Sequence, residues 1–183
     1  QAAAQAGARV TLVEQDALCG GQLLSEPASG PAAAWCDAKT SDLCSRDTVS
    51  ILTRSTAFGL YDGNVIGIVT QHAEGAGGPA LSLLHAREVI FATGAIERPL
   101  LFPGNDRPGV MLASAIRTYL NRFAVLAGTK VLLATSHDGA YRTALDLAAA
   151  GAQVTVADQR SRQGEAAEAA RQGSVTVLSD ARV

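Results

Sequence analysis

Aromatic residues are scarce in this sequence, 4% of 183 positions, and its single tryptophan, Trp35, stands far along the chain from Tyr61. Neither has the neighbours that a stacking box around a cofactor needs, so core packing is the expected role of both. Three cysteines, Cys19, Cys36 and Cys44, are odd in number and contain no C-x-x-C pair. That excludes a disulfide framework and a thioredoxin-like redox pair, and leaves free thiols with no His or Lys cluster beside them to lower a thiol pKa. Charge of one sign is also lacking: 15 basic against 17 acidic residues gives a formal net charge of -2. Such a balance offers no electrostatic footprint for nucleic acid or for an anionic membrane surface, so neither is expected as a partner. No apolar run approaches the roughly 20 residues of a spanning helix, and the first residues have no charged-then-apolar leader pattern, so a cytoplasmic protein is expected. His72 and His85 have no Cys, Asp or Glu at metal-ligand spacing, and no Ser/His/Asp arrangement can be read. No metal ligand and no catalytic residue is assigned.

What is present is 48% hydrophobic residues, rich in alanine, on a chain long enough for one domain or parts of two. The opening QAAAQAGARVTLVEQD reads as a helix broken at Gly7, then an apolar strand Val10 to Val13 closing on Glu14. This is the second half of a βαβ unit, and such a helix is expected to follow a strand and a turn that lie before residue 1. A Gly/Pro/Ser-rich stretch, Cys19 to Pro31, precedes a helical segment over Ala32 to Leu43. Strands are expected at Val49 to Ser55, Val65 to Gln71 and Leu81 to Leu84, with turns at Asp62-Gly63-Asn64 and Gly75-Ala76-Gly77-Gly78-Pro79. Together they make a small meander. A buried strand, Glu88 to Ala92, runs into Thr93-Gly94-Ala95, and the proline-punctuated ERPLLFPGNDRPGV is loop.

A helix from Ala113 to Leu126 leads to a second βαβ pattern: strand Lys130 to Ala134, helix Gly139 to Ala150, strand Gln153 to Val156, then Asp158. A last strand is expected over Ser174 to Leu178. G-A-R-V-T-L-V-E returns as G-A-Q-V-T-V-A-D more than a hundred residues later, a spacing that indicates two related domains rather than a solenoid. The fold class expected is α/β: two dinucleotide-binding-type, Rossmann-like three-layer domains with a small β-meander. The first would cover residues 1–103 and the second 104–183, the N-terminal strand and glycine loop falling outside the sequence.

An acid closing the second strand of such a fold can accept hydrogen bonds from both adenosine ribose hydroxyls, which gives Glu14 a role. Gly20-Gly21-Gln22-Leu23 follows six residues later, where absent side chains let the backbone approach a ribose or diphosphate. Thr93-Gly94 stands where strand meets loop, a further place for close backbone approach. The second unit points elsewhere. Its positions equivalent to G-x-G-x-x-G are Thr135, His137 and Ala140, so the first two glycines give way to larger residues and the third to alanine, and side chains stand where a pyrophosphate would lie. That domain is expected to be a scaffold. Arg98, Arg107, Arg117 and Arg122 form a loose basic series, expected to be solvated surface.

The stretches LTRSTAFGLYDGNVIGIV, EVIFATGAIERPLLFPGNDRPGVMLASAIRTYLNRF and KVLLATSHDGAYRTALDLAAAGAQV resemble the α subunit of heterotetrameric sarcosine oxidase over essentially the whole chain. Subunits of amino-acid dehydrogenases and of hydrogen cyanide synthase share parts of them. The resemblance implies NAD in the first dinucleotide fold, a β subunit carrying FAD and FMN, and smaller subunits beside it. It implies a small amine substrate, sarcosine, oxidised in the partner to glycine with hydrogen peroxide, and a one-carbon unit passed to tetrahydrofolate in a region outside this chain. Glu14 would then be the ribose acid, Gln15 and Gly20 to Leu23 the adjoining loop, Ala57 the adenine-facing strand, and Thr93 and Gly94 the closing residues. A non-catalytic assembly module is the alternative, motivated by the degenerate second turn.

Overall fold

The computed structural model describes residues 1–72 and 77–181. The turn expected at Gly75-Ala76-Gly77-Gly78-Pro79 lies in part outside the described residues. The chain divides into two compact units: Gln1–Leu23 with Pro31–Gly94, and Leu24–Gly30 with the chain from Ala95 onward.

The first unit opens with helix α1, Ala2–Gln5. The chain reverses at Gly7 with φ +81, a left-handed conformation that glycine adopts without a Cβ penalty. Strand β1, Val10–Val13, follows, and it lies parallel to β2, Val49–Leu52, in a register running from Val10↔Val49 to Val13↔Leu52. The crossover between them contains α2, Pro31–Cys44, which starts on a proline whose missing N–H is an orphan at a helix start in any case.

The single strand expected over Val49 to Ser55 is two strands in different sheets. Arg54 is left-handed at φ +50 and breaks the extended run, after which β3, Ser55–Tyr61, sets off in a new direction. Buried Ser55 fixes this corner, its hydroxyl donating to the Thr53 carbonyl at 2.9 Å and paired with Thr70 Oγ1 at 2.9 Å. The meander is therefore β3, β4 (Val65–Thr70) and β5 (Ala80–His85), antiparallel with β4 central. Ile66 and Ile68 bury the middle strand. A bulge between Ala57 and Gly59 turns the Phe58 ring over Gly67, where an added Cβ would meet the ring at 2.5 Å.

Residues 88–92, expected as a buried strand, form no strand, and Ile90 and Phe91 are 85% and 69% exposed. An apolar run becomes a strand only when another strand takes up its backbone groups, and among the described residues this one has no ladder partner. Trp35 and Tyr61, expected in the core, are more than half exposed. Lys39 stands 5.8 Å over the Trp35 ring, and Tyr61 lies across Gly59.

In the second unit, α3 spans Ala113–Phe123 and starts where Glu97 accepts the orphan N–H of Ser114 at 2.9 Å. It stops three residues short of the expected Leu126, because Ala124 turns left-handed at φ +55 and closes on the Leu120 carbonyl. A parallel sheet follows, β6 (Lys130–Thr135), β7 (Gln153–Asp158) and β8 (Thr176–Leu178), in the order β6-β7-β8. Its crossovers carry α4, Gly139–Ala149, and α5, Glu165–Gln172. Helix α5 was not anticipated: its Glu/Ala/Arg composition resembles solvated linker until Ala167 and Ala170 are seen fully buried on one face. The last strand starts later than Ser174 because that residue is left-handed at φ +66, and Val175 N–H still closes α5 on the Ala170 carbonyl. Tyr141, Ala144 and Leu147 of α4 reach zero exposure against Val154 and Val156, the centre of this unit's core. Leu132 and Leu178 stand 65% and 49% exposed.

Candidate functional site

The first unit builds its candidate site where β1 ends. Glu14 donates its backbone N–H to the Leu52 carbonyl at 2.8 Å, continuing the β1–β2 ladder by one residue. Its own carbonyl accepts from Ser55 N–H at 2.9 Å, and the Asp16 carbonyl accepts from Arg54 N–H at 2.8 Å. The strand-end acid is thereby fixed to the first residues of β3, the strand that carries exposed Ala57. One Glu14 carboxylate oxygen accepts the Asp16 N–H at 2.9 Å, a local turn that sets the side chain's direction. The group is only half-buried, and exposed Gln15 follows it.

Gly20 and Gly21 are both left-handed, at φ +141 and +53, and the Gly20 carbonyl accepts from Leu23 N–H at 3.0 Å as the chain enters a one-turn 3-10 helix, Gly21–Ser25. An added Cβ at Gly21 would meet nothing within 4 Å, so that glycine is required by conformation and not by crowding. Buried Cys36 of α2 donates its thiol to the Cys19 carbonyl at 3.5 Å and holds the loop from below. Burial, and then the nearby Glu14 charge, push the Cys19 thiol up, so this cysteine is a poor thiolate despite its place beside the loop.

Glu14 is thus tied to the start of the strand that carries Ala57, and Cys19, next to the Gly20–Leu23 loop, lies within reach of its charge. Thr93 and Gly94 are exposed, Gly94 left-handed at φ +70, and no described hydrogen bond joins them to Glu14. Gln22 is exposed as well.

At the equivalent place in the second unit the chemistry differs. Asp158 closes β7 with no exposed surface. Its Oδ1 accepts Arg160 N–H at 2.9 Å and Arg160 Nε at 3.0 Å, while Oδ2 accepts the Tyr141 hydroxyl at 2.7 Å and Arg160 Nη2 at 2.8 Å. Arg160 Nη2 also reaches Asp138 at 2.7 Å, ahead of α4. The Arg160 hydrogen bonds hold the Asp158 carboxyl down at about 2, against the penalty of burial. Burial, reinforced by Asp158, lifts the Tyr141 hydroxyl to about 12. Tyr141 and Arg160 were not singled out by sequence reading. The signals were an arginine two residues after the strand-end acid and a tyrosine in the first turn of the helix before that strand, neither informative until folded.

Side chains fill the turn before α4. Thr135 is buried, its hydroxyl donating to the His137 carbonyl at 2.9 Å and accepting His137 N–H at 3.1 Å, and His137 Nδ1 accepts Gly139 N–H at 3.0 Å.

Of the basic series, Arg117 departs from the expected solvated surface. It forks onto Glu26 through two bonds of 2.7 Å and sends Nε to Asp146 at 2.8 Å, all three side chains under a fifth exposed. Burial alone would lower the Arg117 pKa, but hydrogen bonds to Glu26 and Asp146 outweigh it and raise the value. Asn121 bridges Asp146 and the Ser25 carbonyl at 2.9 Å each, completing the network that ties Leu24–Gly30 to α3 and α4. Among the described residues no group of three or more His, Cys, Asp or Glu side chains could hold a metal ion, and no helix is long and apolar enough to cross a membrane.

Parallel βαβ frames recurring in two units, each with an acid closing one of its strands, define a protein of the Rossmann dinucleotide-fold type. A solved structure with this fold, an NAD-dependent persulfide reductase from A. fulgidus, superposes on 96% of this chain and 35% of its own with a TM-score of 0.61 at 16% identity. In sequence, the chain is similar to a segment of sarcosine oxidase α subunits. It is 46% identical over 173 residues to that of Rhizobium meliloti, covering 88% of this chain and 18% of the relative. It is 41% identical over 188 residues to that of a Corynebacterium species, covering 96% and 19%. The chain therefore spans about a fifth of the length of the curated relatives it matches. No family model matches it.

Proposed function

We propose that this chain supplies the adenosine end of a dinucleotide site to a heteromeric, sarcosine oxidase-like flavoenzyme. The observation that carries this reading is Glu14, a half-buried carboxylate at the end of β1, locked by the Ser55 and Arg54 backbone bonds to the strand that bears Ala57. A carboxylate so placed favours a ribose with both hydroxyls free, because a 2′-phosphate would be repelled, and this supports NAD. Gln15 and Gly20 to Leu23 would line the ribose and diphosphate, Ala57 the adenine, and Thr93 and Gly94 would close the site. When bound, NAD would supply a nicotinamide ring able to accept a hydride. This chain's own residues bind and orient its adenosine half.

The similarity to sarcosine oxidase α subunits supports extending this reading to the complete enzyme. The complete enzyme would oxidise the CH–NH bond of sarcosine in the cytoplasm, with FAD and FMN in or at a β subunit, smaller subunits beside it, and tetrahydrofolate receiving the one-carbon unit. The test is release of nucleotide from the purified protein by denaturation, read by mass spectrometry and absorbance. NAD in stoichiometric amount, lost in Glu14→Ala, is expected. An empty protein, or retention unaffected by Glu14→Ala, would overturn the reading.

A further inference from the structure

In the second unit the three places where a dinucleotide would touch a Rossmann frame are each taken by the protein's own side chains. The turn at the end of β6 is occupied by Thr135 and His137, the Thr135 hydroxyl donating to the His137 carbonyl and accepting the His137 N–H. The Gly139 N–H at the start of α4, which would face a phosphate, is taken by His137 Nδ1 at 3.0 Å. At the end of β7, the four acceptor directions of the Asp158 carboxylate are filled by Tyr141 Oη, Arg160 N, Arg160 Nε and Arg160 Nη2. We infer that the second unit is a self-occupied cradle, closed to dinucleotides by Arg160 and Tyr141, so that any dinucleotide held by this chain is held by the first unit alone.

The geometry goes further than the absence of the turn glycines. A ribose can bind Asp158 only by displacing partners that have nowhere equivalent to go. Tyr141 has no exposed surface, so its hydroxyl would lose its acceptor in a dry core. Arg160 would exchange two charge-assisted bonds to a carboxylate for neutral ones to a sugar. Its third contact, to Asp138 at 2.7 Å, spans from the loop after β7 to the turn before α4 and so stitches shut the mouth through which a diphosphate would enter. Restoring Thr135→Gly and His137→Gly alone therefore leaves the cradle closed.

The experiment is amide hydrogen exchange of the whole protein with and without NAD, NADP or ADP, comparing wild type with Glu14→Ala. No ligand-dependent protection of residues 135–160 is expected in either protein. Protection there that persists in Glu14→Ala would overturn the inference. Protection that vanishes with Glu14→Ala is transmitted from the first unit and upholds it. A second measurement tests the plug itself. In Arg160→Met the Asp158 carboxyl, followed by NMR titration, should rise from about 2 towards or beyond its ordinary 3.8. A midpoint that does not move shows that Arg160 is not what occupies the carboxylate. The reading of the first unit stands or falls separately, on nucleotide bound through Glu14.

Discussion

Glu14 and Asp158 stand at the same point of two copies of one motif, and their surroundings give them opposite chemistry. Glu14 is half-buried and spends one carboxylate oxygen on the backbone N–H two residues on. Asp158 is fully buried and spends both oxygens on Tyr141 and Arg160. An acid at a strand end can serve a ligand only where the fold leaves its oxygens free to accept. Where a long cation two residues later and a hydroxyl from the preceding helix converge on it, the same acid becomes a core fastener.

The comparison can be broken most severely at Asp158. Asp158→Ala leaves the Tyr141 hydroxyl and the Arg160 guanidinium without their shared acceptor, and should destabilise the second unit by about 3 kcal/mol, measured by denaturant unfolding. A loss no larger than that of Glu14→Ala would erase the distinction between the two acids. Arg117→Ala comes next. It takes the guanidinium away from Glu26 and Asp146, each 17% exposed, leaving Asp146 with the Asn121 amide and Glu26 with a 3.8 Å approach of Arg142, and should cost about 2 to 3 kcal/mol in the same assay. Arg117→Lys should recover only part, because an ammonium cannot fork onto Glu26 while also reaching Asp146.

Glu14→Ala should act on binding and not on folding. NAD affinity is expected to fall by about 1 to 3 kcal/mol, read by calorimetry, with the unfolding midpoint nearly unchanged. A stability loss equal to that of Asp158→Ala would make Glu14 structural.

The pH dependence sharpens the contrast further. The Asp158 carboxyl is depressed from 3.8 to about 2, so its contribution to stability is complete above the ordinary value and is lost as pH falls through about 2. The Tyr141 hydroxyl is raised from 10 to about 12, so its contribution is present below pH 10 and drains away as pH rises through about 12. Thermal unfolding across both windows should show the second unit responding, and Tyr141→Phe should remove the alkaline slope. Smallest of all, Gly21→Ala should cost about 1 kcal/mol through its left-handed backbone, with no steric clash, since the space beside it is open.

Much of the fold was legible in the residues alone. The two βαβ patterns, helix α2, the meander's last two strands and the loop character of ERPLLFPGNDRPGV were all expected within a few residues of where they lie. Each depends on short-range features: apolar periodicity, Gly7, the Asp62-Gly63-Asn64 turn and the run of prolines. The failures share a different cause. Residues 49–61 held two strands because the left-handed Arg54 and the buried Ser55 corner made the break, and neither residue type announces a corner. Residues 88–92 had an apolar strand's composition but, among the described residues, no neighbouring strand to pair with.

Sequence by itself determined the repeated frame, the position of an acid at each strand end, and the side chains at Thr135 and His137 that displace a glycine turn, because these are properties of contiguous residues. Only the tertiary structure decided which acid stays available. Tyr141 and Asp158 are seventeen residues apart and meet through the packing of α4 on β7, and the Arg160 fork has a meaning only once both Asp158 and Asp138 lie within its reach. Hydrogen bonding in a buried site is a matter of convergence, and convergence is set by how elements pack, not by the order in which residues occur.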